Sequence, residues 1–314
     1  MLLEVQEVTY LAEGINSYEL VDPSGRQLPE FDAGAHVDLH LGNGLIRQYS
    51  LCGDPVERTK YTIGILNDPA GRGGSRYLHD HVRAGSRIEV SAPRNNFRLV
   101  AAERYVFIAG GIGITSIISM LRVLRGRVCD VRLYYCTRSP ARTAFQEEVR
   151  TLCAEGRAVI HHDSGMPDQG LGFHEILADW EDGTHLYYCG PAGFMAAVER
   201  AASYWPASHM HCEHFSAPAR QAAPNDVDRP FRIRIFGSGD EYDVPQGESI
   251  VSVLRRHGVP VETSCEDGYC GTCMTRYVGG EPDHRDTVLD EESRRQYLLI
   301  CCSRAKTPIL DLDI

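Results

Sequence analysis

Four cysteines near the C-terminal end of this sequence constrain its fold more than any other feature. Cys265, Cys270 and Cys273 follow a C-x4-C-x2-C spacing, and 27 residues separate Cys273 from the adjacent pair Cys301 and Cys302. This spacing is typical of plant-type [2Fe–2S] sites, where a tight loop and a distant anchor supply four thiolates to two irons. Zinc sites more often use two C-x2-C pairs or Cys/His pairs. The pattern therefore predicts a [2Fe–2S] cluster rather than a zinc site or unrelated buried thiols.

The loop that carries the first three cysteines also contains Gly268 and Gly271, where the backbone must turn closely around inorganic sulfide. Its amides can donate hydrogen bonds to the sulfurs and help to set the reduction potential. The fourth ligand stays open between Cys301 and Cys302 at this point. Adjacent side chains of an extended strand point to opposite sides, so only one of the two can face the cluster.

The composition narrows the class of protein. A chain of 314 residues with 43% hydrophobic and 24% charged residues suits two or three globular domains. No apolar run approaches the ~20 residues of a membrane span, and the N-terminus lacks the pattern of a secretory signal. The net charge of −11 argues against nucleic-acid binding. The odd count of eleven cysteines argues against a disulfide scaffold, so we expect a cytoplasmic protein with no membrane or nucleic-acid partner.

The hydrophobic pattern changes twice along the chain. Residues 1–100 alternate apolar and polar side chains between turn signals and predict an antiparallel β-barrel. Residues 101–218 alternate strand and helix patterns, which predicts a parallel sheet with crossover helices. Residues 216–229 have little to bury and are interpreted as a linker, and residues 229–314 form a third unit. Predicted strands cover 3–11, 15–21, 34–41, 45–51, 60–66, 87–90, 105–109, 131–136, 158–161, 185–189, 209–215, 231–236, 241–244 and 309–312, and predicted helices 75–83, 115–125, 144–155, 173–178, 193–203 and 249–257.

A glycine-rich turn with Gly110, Gly111 and Gly113 lies between a predicted strand and the helix that begins at Thr115. Such a turn presents amides at a helix N-terminus, which suits a pyrophosphate. The motif alone is weak, because Ser116 replaces the third glycine of G-x-G-x-x-G. A tight strand-to-helix turn without a ligand explains it equally well.

A second turn, Cys189-Gly190-Pro191, ends a later strand and strengthens the nucleotide interpretation. Ligands of open α/β sheets bind at the carboxyl ends of the strands. No acidic residue ends the second strand of this region to bind a ribose hydroxyl, and Arg138 stands there instead. Arg138 either accepts a 2′-phosphate or is simply solvated, so the choice between NADH and NADPH stays open.

Two segments of the barrel have features of a flavin site. Arg47 offers a fork for phosphate and Tyr49 a flat ring for an isoalloxazine. The amides of Gly73, Gly74 and Ser75 at a helix start can bind phosphate. Each segment also has a plain interpretation, as surface strand residues and as an ordinary loop.

The order of these motifs resembles that of the phthalate dioxygenase reductase family, which includes vanillate demethylase reductases. The resemblance covers essentially all 314 residues. It implies a multidomain α+β and α/β fold: an antiparallel β-barrel flavin domain (1–100), a Rossmann-like parallel-sheet nucleotide domain (101–218) and a C-terminal β-grasp plant-type ferredoxin domain (229–314). The motifs that carry it are Arg47-Gln48-Tyr49-Ser50-Leu51, Gly73-Gly74-Ser75, Gly110-Gly111-Ile112-Gly113-Ile114-Thr115, Tyr188-Cys189-Gly190-Pro191, Glu213-His214-Phe215, and the cysteine set that ends in Cys301-Cys302-Ser303-Arg304-Ala305-Lys306.

The resemblance also implies cofactors and their residues. It implies FMN rather than FAD, NADH more often than NADPH, and Cys301 as the fourth cluster ligand. It places Thr115 near the flavin and Phe215 against the flavin ring. The expected flavin-binding residues are Arg47, Gln48, Tyr49, Ser50, Ile63, Gly64, Ile65, Gly73, Gly74 and Ser75, and the expected nucleotide-binding residues are Gly110, Gly111, Gly113, Thr115, Arg138, Cys189, Gly190 and Pro191.

The stoichiometry of the cofactors predicts the function. NADH gives two electrons as hydride, a [2Fe–2S] cluster takes one at a time, and a flavin can convert between them. The resemblance implies that the external acceptor is a Rieske-type oxygenase acting on an aromatic acid or a methoxy-aromatic compound, and we expect a monomeric reductase that feeds it. Thr115 and Cys189 are expected to flank the hydride-transfer junction, with Glu213 either stabilising charge there or serving as an ordinary salt-bridge partner. Alternative predictions are a reductase for a quaternary-amine monooxygenase or a non-oxygenase acceptor, and a redox sensor module.

The third unit has 15 acidic and 11 basic residues, and Glu262, Glu266 and Asp267 cluster at the cysteine loop. This acidic rim is either a docking face for a basic partner or an ordinary solvated surface.

Overall fold

The computed structural model describes residues 1–216 and 228–314. Most of the predicted linker, residues 217–227, lies outside these described residues. The chain divides into two compact units, Met1–Phe215 and Ser216–Ile314. Within the described ranges, none of the helices combines the length and hydrophobicity needed to span a membrane.

The first part of the N-terminal unit is an antiparallel barrel. Its strands occur in the order β4-β3-β6-β1-β2-β5, and a bridge between Leu51 and Ile63 joins the two ends of the sheet. Apolar side chains such as Leu39 and Tyr61 fill the interior, as expected for strands that alternate between core and solvent. The elements are β1 (Leu2–Ala12), β2 (Ile15–Val21), β3 (His36–His40), β4 (Ile46–Ser50), β5 (Lys60–Leu66), α1 (Gly74–His81) and β6 (Arg87–Val90).

The second part is a five-stranded, wholly parallel sheet in the order β11-β10-β7-β8-β9. Neighbouring residues of the central strand pack on opposite faces: Phe107 lies in one core cluster with Ile117, and Ile108 in another with Val198. Both faces are therefore covered, as a parallel sheet requires. The elements are β7 (Arg104–Gly110), α2 (Ile114–Leu124), β8 (Asp130–Thr137), α3 (Gln146–Ala154), β9 (Ala158–His162), α4 (Phe173–Ile176), β10 (Thr184–Cys189), α5 (Ala192–Ala201) and β11 (Met210–Glu213).

The register of this sheet brings its carboxyl ends to one edge. Gly110 pairs with Cys136, and Cys189 pairs with both Ala109 and Glu213. The motifs that follow these strands, which are far apart in the sequence, therefore meet at the same side of the sheet.

The C-terminal unit is a mixed sheet in the order β13-β12-β18-β14-β16 with one helix and a two-stranded ribbon. Its β12 and β18 are parallel, as in a β-grasp fold, and Ile233, Val253 and Leu310 lie in its core. The elements are β12 (Phe231–Ile235), β13 (Glu241–Val244), α6 (Ile250–Arg256), β14 (Met274–Gly279), β15 (Pro282–Asp283), β16 (Tyr297–Leu299), β17 (Arg304–Ala305) and β18 (Ile309–Asp313).

The fold class predicted from the sequence is confirmed, with two differences in the C-terminal unit. Strands β14 to β17 were not predicted, because β14 alternates exposed and half-buried positions, β16 has only three residues, and β15 and β17 have two each. The end of the predicted linker is also fixed in place. Asp228 pairs with Arg285 at 2.7 Å, and the Arg229 carbonyl accepts a hydrogen bond from Arg304 at 3.0 Å.

Candidate functional site

A cleft of about 490 Å³ opens at the carboxyl edge of the parallel sheet, and we call it the sheet-edge cleft. Its volume is in the range of small-molecule and cofactor sites. Four residues predicted to bind nucleotide line it: Gly110, Gly111, Arg138 and Pro191. The complete lining is Gly110, Gly111, Cys136, Thr137, Arg138, Asp163, Gly165, Gly170, Leu171, Phe173, Pro191, Gly193, Phe194 and Ala197.

The other predicted glycines hold two turns together behind the cleft. A side chain at Gly113 would overlap the carbonyl group of Cys189, and one at Gly190 would lie 2.6 Å from the Phe194 ring. Gly111 differs, because its φ is +55° and nothing lies within 4 Å of the space where a side chain would begin. Gly111 therefore has the backbone conformation of a glycine turn and leaves space for a ligand.

Arg138 and Asp163 are the charged residues of the sheet-edge cleft. Within residues 1–216 and 228–314, no hydrogen bond or ion pair engages the Arg138 side chain, and its stem lies 3.7 Å from the position a Gly165 side chain would take. Asp163 accepts a hydrogen bond from the Gly165 amide at 2.8 Å. Asp163 was not predicted from the sequence, although an acidic residue two positions after a predicted strand was a usable signal.

Glu213, at the end of β11, reaches the barrel. Its carboxylate accepts a hydrogen bond from the Ser50 hydroxyl at 3.1 Å, and His36 Nδ1 lies 3.9 Å away. Burial raises the pKa of Glu213 to about 7, against the opposing effect of hydrogen bonds from Ser50 and Ser116. The structure thus brings a weakly acidic carboxyl to the junction between the barrel and the parallel sheet.

Thr115 packs directly against β5 of the barrel. A side chain at Gly64 would lie 2.7 Å from Thr115 Cγ2, and the Thr115 hydroxyl donates to the Ile112 carbonyl at 2.9 Å. Ile63 and Ile65 point the other way, into the barrel core, with at most 1% of their surface exposed. Any contact of these two residues with a flavin ring would therefore involve their backbone.

Cys52 and Cys189 of the N-terminal unit are fully enclosed, whereas the buried Cys136 lines the sheet-edge cleft. Burial raises the pKa of the Cys189 thiol well above its ordinary value, and the nearby Glu213 carboxylate adds to this rise. Burial also raises the pKa of Cys52 and of Cys136 to about 12. Cys189 is 0% exposed, and its raised pKa favours the protonated thiol.

The predicted phosphate site lies where Arg47 meets the start of α1. A side chain at Gly74 would overlap the Arg47 stem, and Arg47 Nη2 donates to the Arg72 carbonyl at 2.8 Å. Gly73 has a φ of +85°, which favours glycine there. The Ser75 hydroxyl accepts a hydrogen bond from the Asp68 amide at 3.1 Å.

Two further residues of the barrel region fit a bound flavin. The buried amide nitrogen of Gln48 has no hydrogen-bond partner within the described parts of the chain, and a buried donor of this kind calls for a ligand acceptor. Phe215 is 37% exposed, so its ring has free surface that a ligand can contact. Tyr49 is partly buried against the barrel core.

In the C-terminal unit, Cys265, Cys270, Cys273 and Cys301 are each 3–6% exposed. Their sulfurs are close enough to form hydrogen bonds with one another. These bonds lower the pKa of Cys265 and Cys273, whose thiolates accept them, and raise the pKa of Cys270 and Cys301. The Asp267 amide lies 3.4 Å from Cys265 Sγ and can donate to it. Four neighbouring thiols with amide donors fit a [2Fe–2S] cluster.

Within residues 1–216 and 228–314, no group of three or more histidine, cysteine, aspartate or glutamate side chains is arranged to hold a single metal ion. A two-iron cluster needs only two protein thiolates on each iron, with sulfide completing the coordination.

Cys301 and Cys302 lie in a turn after β16, so the expected strand geometry at this pair is wrong. Their environments still differ. Cys302 is only partly buried, its sulfur donates to the Leu299 carbonyl at 3.7 Å, and it occupies the space beneath Gly268.

The acidic rim at the cysteine loop is partly neutralised. Glu266 pairs with Arg255 at 2.7 Å, so the rim has less free negative charge than the residue count indicates.

Two known protein families match parts of this chain, one in the unit with the four cysteines and one in the parallel-sheet region. Residues 233–306 match the 2Fe-2S iron-sulfur cluster binding domain, and residues 107–200 match the oxidoreductase NAD-binding domain.

Two relatives match nearly the whole chain. The reductase subunit of tert-butanol monooxygenase / tert-amyl alcohol desaturase from Aquincola tertiaricarbonis is 45% identical over 99% of this chain and 95% of its own length. The reductase subunit of phthalate 4,5-dioxygenase from Pseudomonas putida is 41% identical over 99% and 96%. Among solved structures, a phthalate dioxygenase reductase described as transferring electrons from pyridine nucleotides to [2Fe-2S] matches with a TM-score of 0.75 and 39% identity, covering 100% of this chain and 98% of that one.

Proposed function

The chain belongs to the phthalate dioxygenase reductase family, and from this we propose that it is the NADH-dependent reductase component of a Rieske-type oxygenase system. The observation that carries the proposal is the convergence of four buried cysteines in a unit that matches the 2Fe-2S domain. When bound, NADH supplies a hydride, FMN accepts it and releases single electrons, and the [2Fe–2S] cluster passes these on. The chain's own residues bind and orient these groups.

We propose three cofactor-binding domains: residues 1–100 bind the flavin, residues 101–218 bind the nucleotide, and residues 229–314 bind the cluster. The bridge between Leu51 and Ile63, which joins the ends of the first sheet, supports a separate barrel. The anchoring of Asp228 by Arg285 supports a third unit that begins no later than residue 228.

In the barrel, Arg47 and the start of α1 at Gly73, Gly74 and Ser75 would hold the FMN phosphate, since amides at a helix start and a guanidinium both favour an anion. Gln48 would donate its unpartnered amide to the ring. Tyr49 and Phe215 would contribute aromatic surfaces, and Ser50 and the β5 backbone from Ile63 to Ile65 would border the ring.

At the sheet edge, the amides near Gly111 would bind the pyrophosphate of NADH, and Arg138 and Asp163 would contact its adenosine half. Gly113, Cys189 and Gly190 would act indirectly, by fixing the two turns that form the cleft. Thr115, Cys189 and Glu213 would line the hydride-transfer junction. The Glu213 carboxyl, with a pKa of about 7, can hold or release a proton near neutrality.

Cys265, Cys270, Cys273 and Cys301 would ligate the cluster. We propose further that the protein is a monomer. We also propose that it works in the reducing cytoplasm, and the eleven unpaired cysteines, all of them in the described ranges, are consistent with such a compartment. The relatives serve different oxygenases, so the substrate of the partner is to be found by testing candidate oxygenases.

The test is an anaerobic titration of the purified chain with NADH, followed by visible absorption, with the flavin extracted and identified. We expect FMN in the extract, two irons and two sulfides per chain, and bleaching of the flavin and cluster bands. FAD in the extract, or no cluster bands, would overturn the proposal. Coupled turnover with Rieske-type oxygenases acting on aromatic acids, methoxy-aromatics or quaternary amines would then identify the acceptor.

A further inference from the structure

A fully buried carboxylate lies behind the cysteine loop in the C-terminal unit. The Asp286 side chain is 0% exposed. Its Oδ1 accepts hydrogen bonds from the amides of Val288 and Leu289 at 3.1 and 2.7 Å. Its Oδ2 is buried and has no hydrogen-bond partner within residues 1–216 and 228–314. Burying a charge in this way is costly unless other charges compensate for it.

Two cationic or potentially cationic side chains face this carboxylate. Arg294 Nη2 lies 3.6 Å from Asp286 Oδ1 and donates to the Asp286 carbonyl at 2.9 Å. His284 Nδ1 lies 3.8 Å from Asp286 Oδ2. Arg294 Nε and His284 Nδ1 are themselves buried and unpartnered among the described residues. These groups form a triad in which Asp286 is fully buried and Arg294 is 38% exposed, and desolvation lowers the pKa of His284, which favours its neutral form.

The triad touches the loop that carries the cluster ligands. The Thr287 amide, next to Asp286, donates to the Gly268 carbonyl at 3.1 Å. A side chain at Gly268 would lie 3.4 Å from the Asp286 Cα, so the two segments are in van der Waals contact. Gly268 stands between Cys265 and Cys270 in the sequence. The Asp286 carboxylate therefore lies in a buried segment that is hydrogen-bonded to the cysteine loop, where screening of a charge by water is weak.

We propose that Asp286 and Arg294 are positioning residues that set the reduction potential of the cluster by opposing charges. The inference rests on the proposed function, because it needs the [2Fe–2S] cluster in place. A negative charge near the cluster disfavours the added electron, and a positive charge favours it. In the native pair the two charges largely cancel, so removing either one leaves the other unbalanced.

The experiment measures the midpoint potential of the cluster at pH 8 in the holoprotein, by spectroelectrochemical titration with electron paramagnetic resonance of the reduced state. Asp286→Asn keeps an oxygen to accept from Val288 and Leu289 and should raise the potential. Arg294→Gln should lower it, by less, because Arg294 is 38% exposed and its charge is better screened. Arg294→Lys keeps the charge and should restore most of the native potential.

Asp290→Asn is the matched control, because this exposed carboxylate accepts from the Ser293 amide at 2.8 Å and belongs to the same segment. We expect no shift for it. Shifts of the same sign for Asp286→Asn and Arg294→Gln, or no shift in variants that retain native iron and sulfide, would overturn the inference. Absence of iron and sulfide from the native chain would instead overturn the proposed function. If Asp286→Asn loses its cluster, the Arg294→Gln and Arg294→Lys pair still decides the sign.

Discussion

The Ser50 hydroxyl donates a hydrogen bond to the Glu213 carboxylate at 3.1 Å across 163 residues of sequence. One residue ends β4 of the barrel and the other ends β11 of the parallel sheet. The contact therefore joins two sheets at the place where we propose that hydride transfer occurs. It also puts a carboxyl into a buried position, and the first prediction depends on that burial.

Glu213→Gln should make the stability of the N-terminal unit less dependent on pH. Burial raises the pKa of Glu213 to about 7 from an ordinary 4.5. Ionising this buried carboxyl lowers the free energy of unfolding, and below pH 4.5, where the carboxyl is protonated in both the folded and the unfolded chain, this penalty is absent. The penalty grows as the pH rises through this window and is complete above pH 7, where it is at most about 3 kcal/mol. Glu213→Gln should therefore be the more stable protein at pH 8 and not at pH 4.5.

Trp180 and Trp205 both lie in the N-terminal unit and are the chain's two tryptophans, so urea unfolding followed by tryptophan fluorescence reports on this unit. Glu89→Gln, at an exposed position of β6, is the control and should keep the native pH profile. A native protein equally stable at pH 5 and pH 8 would contradict the prediction.

Gly64→Ala should destabilise the contact between the barrel and α2. The new methyl group would lie 2.7 Å from Thr115 Cγ2, and overpacking of this kind costs about 1–3 kcal/mol. Thr115→Ser removes Cγ2 and keeps a hydroxyl for the Ile112 carbonyl, so it should restore much of the stability in the double variant. A double-mutant cycle by urea unfolding measures this coupling.

Gly193→Ala is the control for that cycle, because nothing lies within 4 Å of its added methyl group. If the double variant were as unstable as the sum of the single ones, the packing of Thr115 on Gly64 would not be the cause.

Cys301→Ser should abolish the cluster, and Cys302→Ser should keep it. Cys301 is buried with the other three predicted ligands, whereas the Cys302 sulfur donates to the Leu299 carbonyl. Iron and sulfide analysis with visible absorption distinguishes the two variants. Retention of a native cluster in Cys301→Ser would show that Cys302 is the ligand.

Arg138→Ala should raise the KM for NADH roughly tenfold with little change in kcat, since a lost hydrogen bond to a charged group is worth about 1.5 kcal/mol. Arg138 is one of the charged residues lining the sheet-edge cleft. Arg132→Ala, at an exposed arginine of β8, the strand that Arg138 follows, should leave the KM unchanged. Steady-state kinetics with NADH and with NADPH measure the KM. An unchanged KM in Arg138→Ala would show that the adenosine half binds away from Arg138.

Local patterns allowed much of the fold to be predicted. The alternation of apolar residues in β1 and β2 and the helix patterns after each parallel strand depend on neighbouring residues, so the barrel and the parallel sheet could be recognised. Strand β14 could not, because its pairing with β18 and β16 decides its structure and its own residues alternate only weakly.

The candidate site likewise has features that local sequence patterns predict and features that depend on tertiary contacts. The cysteine spacing and the glycine turns are local and were visible in the sequence. The partners of Glu213 and the contact of Thr115 with Gly64 depend on how two sheets meet, which no single segment determines. The inward direction of Ile63 and Ile65 follows from the barrel's closure, which the sequence alone does not reveal.

The enclosed thiols of the N-terminal unit have a consequence for how iron reaches the protein. A thiolate is the form of cysteine that binds a metal, and burial raises the pKa of Cys52 and Cys136 to about 12. These residues therefore stay protonated and compete poorly for iron and sulfide while a cluster is being assembled. Cys52 and Cys189 are in addition 0% exposed, so iron on its way to the cysteine loop does not reach these two sulfurs in the folded chain.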